Sequence, residues 1–154
     1  MITDRTQSDI NTAKNLIETK VKKFVTLTAA EIEALERGTM TINTLNRIEE
    51  KQSELKTLLN QCGYYGTDIT VKTNWKIGDM FYDVDFQRII DNENLLRNAL
   101  YTFIDTPNTP DISFGYEDIN NLEKILVDIE NMITIMKKNF RKSGTFKSGE
   151  VLLW

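Results

Sequence analysis

One seven-residue pattern is written along this chain four times, and it constrains the fold more than any other feature. It reads INTLNRI at 42–48 and INNLEKI at 119–125, with looser copies DVDFQRI at 83–89 and INTAKNL at 10–16. The shared order is apolar, polar capper, any, apolar, any, polar or basic, apolar. Apolar residues three apart behind a capping residue mark the first turns of a helix with one inward face. Aligning Ile42 with Ile119 also sets Leu55 on Met132 and Leu59 on Met136, so the likeness continues down the helix and predicts equivalent packing roles. The copies are unequally spaced, which favours a closed bundle over a solenoid of stacked repeats.

Start and stop signals cut the rest of the chain. Thr6 with Asp9 reads as a weak capping box, and Ile10, Ala13, Ile17, Val21 and Phe24 recur at helical spacing, predicting a helix over 7–23. Thr28 with Glu31 is a full capping box, and Gly38 is placed to supply a left-handed C-terminal cap, giving a short helix over 29–37. Asn43 is a favoured cap for a long helix over 44–62, whose stripe is Leu45, Ile48, Leu55, Leu58, Leu59 and Cys62 and which stops at Gly63. Periodicity is lost over 63–82, where only the alternation around Ile69 and Val71 suggests as much as one short strand. Asp83 is the candidate cap of a fourth helix carrying Phe86, Ile89, Ile90, Leu96, Leu100 and Phe103, halted by Thr106-Pro107. The last helix is expected over 116–140, with Lys137, Lys138, Arg141 and Lys142 matching its negative C-terminal pole.

These segments predict an all-α helical bundle of four long helices plus one short helix, with an irregular central loop and a C-terminal extended arm. The bundle domain is expected over 1–142 and the arm over 143–154.

Composition narrows the chemistry. A net charge of -4 lacks the concentrated Lys and Arg that a phosphate backbone requires, so no nucleic-acid partner is expected. The chain has no histidine and one cysteine, Cys62, which removes Ser-His and Cys-His nucleophile pairs, Cys/His zinc sets and an internal disulfide. No apolar run approaches the length of a membrane span and the start lacks a signal-peptide core, so neither membrane insertion nor export is expected and folding is expected in a reducing cytoplasm. CGYYG at 62–66 lacks the Lys-Ser/Thr pair of a phosphate loop and reads as a helix cap and turn. The acids Asp79, Asp83, Asp85, Asp91 and Glu93 do not follow calcium-loop spacing: the required glycine is missing, and Gln87 and Ile89 fill ligand positions. Capping and a solvated face explain them better, and no metal or cofactor is expected. A carboxylate-using hydrolase built on Asp83 is the weakest alternative.

Candidate partner-binding residues fall in two places. Tyr64, Tyr65 and Trp75 lie in the aromatic-dense segment 64–82, where exposed rings would fill a partner's pocket or stack on sugar faces and buried ones would close the end of the bundle. Phe146, Val151, Leu152, Leu153 and Trp154 make an apolar arm suited to strand addition or insertion in a partner groove. Arg47 and Arg88 hold matching places in two repeat copies and are expected to pair with acids at helix starts.

The order of short motifs adds a resemblance. TDRTQSDI, INTLNRIEE, the GYYG turn, KTNWKIGDM, DFQRIIDNENLLRNAL, DINNLEKILVDIENMI and a closing SGE span nearly the whole chain. In that order they resemble small proteins encoded in the tail and baseplate regions of phages, prophages and phage tail-like particles of Gram-positive bacteria. GDMFYDVD departs from that family, in which the fourth helix usually starts with a proline. The resemblance implies a non-enzymatic virion component: a baseplate or tail-tip subunit or a fibre adaptor, present in multiple copies among other tail and baseplate proteins and assembled in the host cytoplasm. A receptor- or carbohydrate-binding module using the loop 64–82 is the alternative.

Overall fold

The computed structural model describes residues 1–110 and 115–143, with side chains to residue 139. The expected arm at 143–154 therefore lies almost wholly outside the described residues. The described chain is all-helical: α1 Gln7–Thr19, α2 Ala29–Gly38, α3 Ile42–Gln61, α4 Asp83–Asn98 and α5 Tyr116–Ser143, with a single 3-10 turn Val21–Lys23 after α1 and no strand.

Three of these helices share the core, and they run in the same direction. Arg47 of α3 reaches Glu123 of α5 at 2.7 Å, and one turn on Lys51 reaches Glu130 at 2.6 Å. Between α3 and α4, Glu49 pairs with Arg88, and further along Gln52 Nε2 donates to Glu93 at 3.2 Å. Partners advance together in both cases, so α3, α4 and α5 are parallel. Three copies of the repeat thus stand side by side at one level. Leu45, Phe86 and Leu122 are buried, as are Ile48, Ile89 and Ile125, the fourth and seventh positions of each copy. The alternating steps of three and four residues through Leu45, Ile48, Gln52, Leu55 and Leu59 are those of a heptad seam.

The fourth copy does something else. Its Ala13 packs α1 against α2, in a helical hairpin set beside the three-helix core. Gly38 is the other side of that contact: a Cβ there would lie 2.3 Å from Ala13 Cβ and 2.3 Å from the Asp9 carbonyl oxygen. Its role is close approach, not the left-handed cap expected, because its φ is not positive and the chain leaves the helix through Thr39 in an extended conformation.

Other boundaries also shift. Both capping boxes form as expected, at Thr6 with Asp9 and Thr28 with Glu31. Gly63, at φ 85°, ends α3 while Tyr64 N–H donates back to the Leu59 carbonyl at 3.0 Å, an αL cap as the CGYYG reading implied. Thr41, not Asn43, caps α3, its hydroxyl accepting from Thr44 N–H at 3.2 Å. Tyr82, not Asp83, precedes α4, and the Asp85 carboxylate accepts from its N–H at 3.2 Å. The first helix ends at Thr19 rather than 23, and α4 ends at Asn98, leaving Leu100 and Phe103 outside it. A parallel neighbour demands this early stop, since the chain must travel back along the bundle before α5 begins.

The heptad seam contains one polar level. Gln52 and Asn92 bond to each other, and Gln52 bonds to Glu93, all fully or nearly fully buried. Burial pushes the Glu93 carboxyl well above its usual range, opposed by the Gln52 bond and reinforced by the charge of Glu123; its Oε1 has no partner. A carboxyl whose folded pKa is raised binds its proton in the fold when the unfolded chain has lost it, so stability falls as pH climbs above the ordinary value of 4.5. Glu93→Gln keeps the Gln52 bond without that proton demand. The variant should be more stable than wild type at pH 8 by about 1 kcal/mol or more, a rise of about 4 °C in Tm, and the gain should shrink toward pH 4.5 in thermal unfolding across pH.

Candidate partner-binding surface

Parallel helices force long returns. α3 is about 30 Å long at 1.5 Å per residue, so the segment 63–82 has to run its length in an extended form before α4 starts. An extended strap lying on helices has no strand to bond with, yet its buried N–H and C=O groups need partners. Asparagines on the helices supply them. Asn46 Oδ1 accepts from Trp75 N–H at 2.9 Å while its Nδ2 donates to the Trp75 carbonyl at 3.2 Å. Asn92 treats Thr70 in the same way, at 3.3 and 2.7 Å. The alternation around Ile69 and Val71 that suggested a strand buries side chains on the helices instead, Ile69 fully and Val71 in part.

Glu49 completes the latch. Its buried carboxylate accepts from Lys72 N–H at 2.6 Å, from the Trp75 indole Nε1 at 2.8 Å and from Arg88. Arg88 also reaches Asp85 at 3.3 Å, the nearby acid expected for it. The Arg47 partner is not local: it is Glu123, on the next helix. Glu123 is fully buried and also holds Arg5 at 2.8 Å, so the N-terminal segment is latched to α5 as the strap is to α3. There too an asparagine clamps one residue, Asn120 bonding both N–H and C=O of Arg5 at 3.1 and 3.0 Å.

Trp75 is 4% exposed with its indole nitrogen committed to Glu49, which removes it from the expected partner-binding set and from any sugar platform. Lys72 Nζ lies 3.5 Å from its ring centroid, and Phe81 meets it edge-on at 5.6 Å. Tyr64 and Tyr65 remain outside, the latter 81% exposed at the far end of the strap. Phe146, Val151, Leu152, Leu153 and Trp154 lie outside the described residues.

The strap ends in a turn that exposes apolar side chains at the end of the aromatic-dense segment 64–82, with residues the partner-binding set did not name. Asp79 N–H donates to the Lys76 carbonyl at 3.0 Å, and Gly78 at φ 100° takes the position where a type II turn needs a positive φ. Asp79 returns the bond, its carboxylate accepting from Lys76 N–H at 3.1 Å and pairing with Lys72 at 3.0 Å. These partners hold its pKa below the ordinary value, the Lys72 bond most of all. The turn throws Ile77 outward, 97% exposed, and Met80, Tyr82 and Val84 follow, a row of large apolar side chains at the start of α4. Asp83 and Asp91 beside them carry no ion pair among the described residues. No periodic pattern marks residues 77–84, so the signals for the ridge were the aromatic density that ends at Tyr82 and the Gly78 turn.

A second exposed apolar group lies at the tip of the α1–α2 hairpin. Phe24 sits at φ 57°, where an L residue costs roughly 1 kcal/mol, because it holds the position that glycine usually takes in a Schellman-type helix end: Val25 N–H donates to the Lys20 carbonyl at 3.0 Å. The ring is 97% exposed, and Val21, Val25 and Ile32 beside it are also outside.

The acids Asp79, Asp83, Asp85, Asp91 and Glu93 do not form a ligand cluster among the described residues. Among the described residues no three His, Cys, Asp or Glu side chains group as metal ligands, and no helix is long and apolar enough to cross a membrane. No family model, curated protein or solved structure matches the chain.

The clamp needs an amide, since a carboxylate has no donor for the strap carbonyl. Asn46→Asp should destabilise the fold by about 1–3 kcal/mol through an unpartnered Trp75 carbonyl beside a carboxylate, and urea titration followed by tryptophan fluorescence should read the loss.

Proposed function

We propose that this chain is a non-enzymatic structural subunit of a phage tail or tail-like particle. In this reading it is a baseplate or tail-tip subunit or a fibre adaptor, assembled in the host cytoplasm in several copies beside other tail and baseplate proteins. Its working parts are surfaces: four long helices and one short one as scaffold, the central loop as a presenting strap, and the C-terminal arm as an extended contact. The order of TDRT, LNRIE, the Thr73, Trp75, Asp79 element and NNLEKIL supports the class. The observation that carries the contact mode is the apolar ridge Ile77, Met80, Tyr82 and Val84, exposed where the latched strap runs into the first turn of α4. A fixed, preorganised apolar surface loses little freedom on binding, as a docking element requires. The carbohydrate-binding alternative is weaker because Trp75, its central ring, is buried.

Particles purified from the source cells should contain the chain at a fixed ratio to the tail-tube protein in quantitative mass spectrometry. Ile77→Asp with Met80→Asp should leave the circular dichroism spectrum unchanged and reduce incorporation about tenfold or more. Particles that lack the wild-type chain would refute the assignment.

A further inference from the structure

A buried carboxyl is joined to the strap through two side-chain amides. Glu93 is fully buried, its Oε1 meets no partner, and no cation forms an ion pair with it among the described residues. Its Oε2 accepts from Gln52 Nε2 at 3.2 Å, a nitrogen that also serves the Ile89 carbonyl at 2.9 Å. Gln52 Oε1 accepts in turn from Asn92 Nδ2 at 3.2 Å, and Asn92 is the clamp on both backbone groups of Thr70.

An amide carries its donor on one side and its acceptor on the other, so this chain of bonds has a direction. Because Glu93 accepts, Gln52 turns its donor to it and its acceptor to Asn92. Asn92 then has its donor for the Thr70 carbonyl and its acceptor for the Thr70 N–H. The Thr70 carbonyl has a second donor in Arg88 at 3.3 Å, whereas its N–H bonds to Asn92 alone among the described residues. A protonated Glu93 fits this arrangement, since its carbonyl oxygen takes the Gln52 bond and the neutral group suits a dry site. The anion does not fit: a buried carboxylate requires several donors, and here it has one that is already shared.

The charges around Glu93 give its anion no relief. From α5, Glu123 opposes it and is itself held by Arg5 and Arg47, and Asp128 holds Lys124. From α3, Glu49 binds Arg88 and Lys56 binds Asp68, while Lys72 of the strap binds Asp79. Arg97, one turn further along α4, donates to Asn108 at 3.4 Å.

We propose that Glu93 is a proton-dependent lock on the first half of the strap. Protonated, it leaves Asn92 to clamp Thr70. On losing its proton to solvent it draws the Asn92 amide or water into the polar level, and the strap opens around Thr70. The second half stays shut, because Asn46 holds Trp75 and Glu49 holds Lys72 and the indole, independently of Gln52. The stretch around Thr70 therefore loosens while the ridge keeps its place. The lock stands apart from the tail reading and needs no particle to operate.

Amide hydrogen exchange of the full chain, followed by NMR from about pH 5 to about pH 9 and expressed as protection relative to free peptide, tests the lock. In wild type the Thr70 N–H should lose about tenfold or more of its protection along one titration above pH 4.5, and the Trp75 N–H far less. The carboxyl carbon of Glu93 should titrate with the same midpoint. Glu93→Gln cannot ionise and presents the same oxygen to Gln52, so in that variant Thr70 should stay protected throughout. Equal loss at Thr70 and Trp75 overturns the lock, because it marks a general weakening of the fold. So does a Thr70 loss that persists in Glu93→Gln, or Thr70 protection that is constant to the top of the range. Titration of Glu93 without a response at Thr70 overturns it too, as capture of the anion by Arg97, whose buried Nε has no partner, would produce.

Discussion

An asparagine side-chain amide carries an acceptor and a donor side by side, and this fold depends on that. Set on a helix, the amide pairs with both backbone groups of one residue in a neighbouring extended segment, as a β-strand would, but at one point. Asn46 clamps Trp75, Asn92 clamps Thr70 and Asn120 clamps Arg5, one from each core helix. Without such clamps, parallel helices in one chain would need returns that wander through solvent or leave buried backbone groups unpaired, each costing about 1–3 kcal/mol. Glu49 adds charge to the latch by accepting from the strap backbone, the Trp75 indole and Arg88 together.

The interior is more polar than a minimal three-helix core needs. Glu123 is buried between Arg5 and Arg47, and the Gln52, Asn92 and Glu93 level interrupts the apolar seam. Apolar seams with a three-four repeat tolerate slippage by a heptad, whereas polar groups that bond across helices, as Gln52 does to Asn92 and Glu93, favour one alignment. Those bonds agree with the register that puts the three repeat copies side by side, at the expense of a buried Glu93 carboxyl whose pKa that burial raises. Rigidity gained inside is used outside: the strap that Glu49 and the asparagines hold carries the ridge at 77–84.

Much of this was legible in the residues. The repeats marked four helix starts with equivalent roles, of which three do stand together while the fourth, with Ala13, packs against α2 instead, and the two capping boxes and the Gly63 stop were readable because each depends on contacts within a few positions. What escaped depends on distant partners. Gly38 looked like a cap because a glycine after a helical run has that local meaning, whereas its real constraint is Ala13 on another helix. Leu100 and Phe103 continued the stripe of α4 but lie past its end, because the need to return to the start of α5 overrides local periodicity. The surface reading failed for Trp75 for the same reason: an aromatic in a loop carries no local sign that a glutamate on a helix will take its nitrogen. Ile77 escaped because a single apolar residue before a glycine has no pattern to belong to.

The parallel arrangement of α3, α4 and α5 is the claim on which the rest stands, and distances between spin labels test it directly. Cys62→Ser leaves a background in which cysteines at the exposed positions Asn43, Asp83, Glu117 and Asn98 take the labels in pairs. Asn43, Asp83 and Glu117 mark the starts of the three helices, and Asn98 marks the end of α4, about 22 Å further along. Pulsed electron resonance should give the shorter distances for Asn43 with Asp83 and Asn43 with Glu117, and a clearly longer one for Asn43 with Asn98. An Asn43 to Asn98 distance shorter than Asn43 to Asp83 would make α3 and α4 antiparallel and contradict the account.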